Sequence, residues 1–102
     1  MAICAAHSIA DFAEKRGITI DNILPNMLET ELFPHVAANV AMQAIKDGVA
    51  RKNRTWDEVY EEAKKDIQEA HAVVELLQEK DFIKEFPEEK IREIVARVSE
   101  QV

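Results

Sequence analysis

Glycine and cysteine are scarce in this chain of 102 residues, and each scarcity closes off a class of function. Its two glycines, Gly17 and Gly48, stand alone where helical patterns stop, so no glycine-rich loop is available to cradle a phosphate. One cysteine, Cys4, rules out an intrachain disulfide and fits a reducing compartment, which makes the cytoplasm the expected location. Long apolar runs are missing as well. The stretch Met1 to Ala6 has no basic region before it, and Asp11, Glu14 and Lys15 interrupt it too early for a signal sequence or a membrane span. Basic charge is in deficit: 13 Lys and Arg face 20 Asp and Glu, and the resulting charge of −7 argues against nucleic acid or an anionic membrane as a partner.

What remains is 47% apolar and 32% charged residues, the balance of a folding protein rather than a disordered one. The length allows one domain with a modest core. The spacing predicts a first helix over Ala2 to Arg16, with Ile3, Ala6, Ile9, Ala10 and Ala13 inward and Gly17 as the stop. No Ser, Thr, Asp or Asn stands before it to cap its first N–H groups, which suggests an upstream segment. Residues 18–32 read as an ordered loop: Asp21-Asn22 and Pro25-Asn26 are turn signals, and its apolar residues Ile18, Ile20, Ile23, Leu24, Met27, Leu28 and Leu32 call for another surface to lie against.

Pro34 suits the first turn of a second helix running to about Asp47, with Val36, Ala37, Val40, Ala41, Ala44 and Ile45 inward. Thr55 and Glu58 have the spacing of a capping box and open a third helix. In it Trp56, Tyr60, Ala63, Ile67, Ala70, Val74 and Leu77 recur at alternating four and three, the seam of a coiled-coil-like contact through which a homodimer is expected. Phe86-Pro87 precedes a fourth helix with the stripe Ile91, Ile94, Val95, Val98 and Val102, expected to fold back on the third as a hairpin. The fold class is therefore all-α: about four helices and one structured loop, treated as a single unit over 1–102.

Residues able to carry chemistry are few and scattered. His7, His35 and His71 have no second His or Cys at ligand spacing; His71 and Glu75 share a helix face, but a metal needs three or four ligands. His35 is expected to make a loop hydrogen bond. Cys4 lies one turn from His7, yet a buried small hydrophobe explains it better than a nucleophile. Asp21, Glu29 and Glu31 on the loop, and the acidic helix starts at 57–62 and 88–89, are accounted for by solvation and by the helix dipole. Trp56, Tyr60 and the phenylalanines read as core. No residue is assigned a catalytic, cofactor-binding or metal-binding role.

Three short words carry more: Asn22-Ile23-Leu24-Pro25, then Phe33-Pro34-His35-Val36-Ala37-Ala38-Asn39-Val40-Ala41, then Gly48-Val49-Ala50-Arg51. In this order, after an alanine-rich helix like Met1 to Ala13, they resemble the C-terminal region of malic enzymes. The resemblance covers residues 1–51; residues 52–102 are read as a helical-hairpin extension. It implies a larger α/β dehydrogenase as parent, which oxidises and decarboxylates malate to pyruvate and carbon dioxide with NAD or NADP and a divalent cation, Mg or Mn. It further implies the remainder of that enzyme, and a second subunit, as partners. The family's catalytic Tyr and Lys, its metal-binding carboxylates and its dinucleotide glycines precede the helix matching Met1, so no residue here inherits them. Two other readings stay open: a stand-alone helical dimerisation module without activity, and a chain that completes an active site encoded separately.

Overall fold

In a computed structural model, which describes every residue from Met1 to Val102, four helices follow one another: α1 (Ala2–Arg16), α2 (Leu32–Lys46), α3 (Trp56–Glu79) and α4 (Glu88–Ser99). There is no strand; a lone antiparallel bridge pairs Thr19 with Asn22 in the first loop. None of the helices is long and apolar enough to cross a membrane. The chain divides into two units, Met1–Ala70 and His71–Val102, with the division inside the residue range of α3.

The helix ends follow local chemistry. Gly17, at φ 103, donates its N–H to the carbonyls of Ala13 and Glu14 at 3.0 and 3.1 Å and ends α1. Gly48, at φ 71, ends α2 in a Schellman motif: its N–H bonds to the Ile45 carbonyl at 3.1 Å and that of Val49 to Ala44 at 3.0 Å. α3 ends in the same motif, with the Phe82 N–H bonded to the Leu77 carbonyl at 2.9 Å and that of Asp81 to Gln78 at 3.0 Å. Here Asp81 sits at φ 59, where glycine is the usual occupant. The capping box at the start of α3 is formed in both directions, Thr55 N–H to the Glu58 carboxylate at 2.9 Å and Glu58 N–H to the Thr55 hydroxyl at 3.3 Å. α2 begins two residues before its expected start. Pro34 still falls within the first turn, where its missing N–H costs nothing.

Two inward faces differ from expectation. On α1 the sequence favoured Ile3, Ala6, Ile9, Ala10 and Ala13; Ala13 is buried and Ile9 half-buried, but Ile3, Ala6 and Ala10 are exposed, while Ser8 is buried with Cys4, Ala5, Phe12 and Arg16 half-buried beside it. The helix is turned so that its small and polar side meets α2, which lets the two backbones come close. On α2 the buried positions are Leu32, Pro34 and Ala38, while the expected residues are half-buried. Ala38 at 0% exposure is the tightest point. α1 and α2 pack against each other.

The α3 seam is likewise not one continuous stripe. Trp56, Tyr60, Ala63 and Ile67 are half-buried, whereas Ala70 and Val74 are exposed. In His71–Val102 no residue is fully buried, and the whole chain's buried apolar residues are Ala13, Leu32 and Ala38.

Candidate functional site

Within Met1–Ala70 the one dense constellation of polar and aromatic side chains centres on Asn39, near the middle of α2. Its carboxamide nitrogen donates to the Ser8 hydroxyl on α1 at 3.0 Å, and its carboxamide oxygen accepts the Trp56 indole N–H at 2.7 Å. The Cys4 thiol lies 3.5 Å from its backbone carbonyl. A single residue thus ties α1, α2 and the start of α3 together through bonds that ordinary helical propensity would never require. One turn earlier, His35 packs its ring among aromatics, with centroids 6.2 Å from Phe12, 5.5 Å from Trp56 and 5.1 Å from Tyr60. Trp56 stacks on Tyr60 at 5.0 Å. The expected loop hydrogen bond of His35 is replaced by this aromatic packing, because the ring turns toward α1 and α3.

Another node holds the loop. Arg16, in the last turn of α1, pairs through Nη1 with Glu29 and through Nη2 reaches the Asn22 carbonyl at 3.3 Å and the Asn22 side chain at 3.0 Å. Glu29 also accepts the Asn26 N–H at 3.0 Å, and Asn26 in turn accepts the Leu28 N–H at 2.7 Å. Between the two nodes lies a cavity of about 370 Å³, lined by Ser8, Asp11, Phe12, Arg16, His35 and Asn39 among others. Lys15 and Glu31 also line it, so its basic and acidic groups balance.

This arrangement holds helices and a loop in register: the Asn39 relay is built from amide, hydroxyl, indole and the Cys4 thiol, and no carboxylate or imidazole bonds to it. The sequence's other candidates do not converge. Cys4 bonds to Asn39 rather than to His7, which is exposed, and His71 and Glu75 are both exposed. Glu29 is engaged by Arg16, while Asp21 stays in water. No three His, Cys, Asp or Glu side chains come together in a group that suits a metal ion. The sequence reading missed both Asn39 and Arg16 as organising residues. For Asn39 the available signal was a polar side chain inside the alanine-rich run 36–44. Arg16 gave no signal beyond that of a cation at a helix terminus.

No protein-family model matches the chain. None of the curated proteins matches it either. Among solved structures it is similar to the crystal structure of Entamoeba histolytica malic enzyme, with 50% identity over 98% of this chain and a TM-score of 0.83. The likeness therefore continues past residue 51 into α3 and α4, where the sequence alone offered no resemblance. It spans 21% of that protein's length.

Proposed function

We propose, from the premise that the chain corresponds to a segment of a malic enzyme, that its role is non-catalytic: it is the C-terminal packing segment of such an enzyme. The observation that carries this reading is the surface the chain leaves open. Met1–Ala70 buries Ala13, Leu32 and Ala38 as its apolar core, and in His71–Val102 no residue is buried. Exposed large apolar residues run from Met1 to Val102, on α1, the first loop and α4. A segment that owns so little core of its own gains it from a neighbour.

The parent enzyme, on this reading, oxidises and decarboxylates malate to pyruvate and carbon dioxide with NAD or NADP and Mg or Mn, in the cytoplasm. The residues present do not fit those groups: no ligand cluster exists, and Gly17 and Gly48 form no phosphate loop. The cofactor and metal are held by the rest of the enzyme. A second subunit is a further proposed neighbour, through whichever part of the seam Trp56 to Leu77 is left free. The rival reading, a stand-alone dimerisation module, needs the whole seam, and its first half is already engaged with His35 and Asn39.

The test is the native polypeptide. An antibody raised against this chain should detect a species about five times its mass, and the precipitate should reduce NAD or NADP in the presence of malate and Mg or Mn. A native species of 11.6 kDa that forms a homodimer and lacks that activity would decide for the stand-alone module.

A further inference from the structure

Residues 18–28 form a loop turned inside out. Its polar groups are bound from within: Arg16 takes Asn22 and Glu29, Glu29 takes the Asn26 N–H, and Asn26 takes the Leu28 N–H. Thr19 and Asn22 close the turn with backbone bonds of 3.3 and 3.2 Å. The apolar side chains are on the outside instead. Ile18, Ile20, Ile23, Leu24, Met27 and Leu28 are 55% to 95% exposed. An apolar segment with no purpose in water would either collapse inward or be polar. This one is fixed in an outward-facing form by a polar clamp, which lowers the ordering cost of docking.

We infer that the outer face of residues 18–28 is a docking surface for an apolar groove on the part of a malic enzyme that lies outside this segment. The inference rests on the proposed segment reading. Two features favour that occupant. The matched segment is about a fifth of the similar enzyme, so most of such a polypeptide remains to supply the groove. In addition, Asp21 is the one charge among residues 18–28. A two-fold contact between copies of this patch would set two unpaired Asp21 carboxylates in one apolar interface, which is costly. The groove on the partner is therefore apolar, with a basic or hydrogen-bond-donating group at the edge facing Asp21.

The experiment places Ile20→Asp and Leu28→Asp in two settings: the 102-residue chain by itself, and Entamoeba histolytica malic enzyme carrying residues 1–102 in place of its own matching segment. In the chain by itself both substitutions should leave Trp56 emission, far-UV circular dichroism and sedimentation unchanged, since both side chains already face water. In the full-length enzyme each should lower Tm by several degrees, because a carboxylate would enter an apolar groove. Ile20→Val should not. Unchanged melting of both Asp variants in the full-length enzyme overturns the docking surface and leaves the segment reading standing. A dimer of the free chain that dissociates on Ile20→Asp assigns the face to a second copy and overturns it too, as does a changed Trp56 emission in the free chain. If the unsubstituted exchange fails to give a folded enzyme, the segment reading itself falls.

Discussion

Met1–Ala70 and His71–Val102 are both helical and both amphipathic, yet only the first has an interior. The first unit buries Ser8, Ala13, Leu32, Pro34 and Ala38, and every side-chain hydrogen bond that joins distant parts of the chain is made there. The second has no buried residue; its α4 is held by backbone bonds, the Ser99 hydroxyl on the Ala96 carbonyl, and an exposed Glu88–Arg92 pair. The sharper apolar stripe is on α4, not on α1. Amphipathicity thus tells that a helix will have a buried side in its working assembly, whereas the contacts at hand decide whether that side is buried already. Small residues that let backbones approach, and a polar residue that ties them, made the difference in the first unit.

If that contrast is right, the largest effects come from the α1–α2 contact. Ala38→Leu adds three carbons where nothing is exposed, and it should cost about 3 kcal/mol of stability, read from urea unfolding followed by Trp56 emission. Asn39→Ala should cost about 2 kcal/mol, since it strands the Trp56 indole N–H and the buried Ser8 hydroxyl at once. A red shift of Trp56 emission should accompany it. An Asn39→Ala chain as stable as its parent, with unshifted emission, would remove Asn39 from its central place.

How much of this could be read beforehand differs along the chain for a physical reason. Helix stops, the Thr55–Glu58 box and the four-helix, all-α character are local events, and their signals sit within a few residues of each other. The rotation of α1 could not be read from its own apolar spacing. Ile3, Ala6 and Ala10 form a good stripe, but the face chosen depends on Asn39, 31 residues from its partner Ser8. Likewise Arg16 carried a sound local meaning as a cation at a helix C-terminus. Its bonds to Asn22 and Glu29 exist only once the loop has turned back. The resemblance faded after residue 51 because heptad-like helices share their pattern with many proteins, while short turn words do not.

Smaller effects arise at the two ends of α3. Thr55→Ala removes one half of the capping box and should cost about 1 kcal/mol, together with faster amide exchange at Glu58. Asp81→Gly runs the other way. It relieves a left-handed residue at the end of α3 and should stabilise that turn by about 0.5 kcal/mol, seen as slower exchange of the Phe82 N–H.

The smallest expected effect is the most informative about the contrast itself. Val95 lies in the apolar stripe of α4 but is 60% exposed. Truncating an exposed side chain forfeits little burial, and alanine has the better helix propensity, so Val95→Ala should change the stability of the free chain by less than about 0.5 kcal/mol. A buried valine in the same stripe would lose about 1 kcal/mol or more, because each buried methyl or methylene contributes close to that amount. Equilibrium unfolding of the free chain, followed by far-UV circular dichroism so that α4 contributes to the signal, separates the two. A loss above about 1 kcal/mol would mean that α4 already has a partner in solution, and the second unit could no longer be described as a helix awaiting its core.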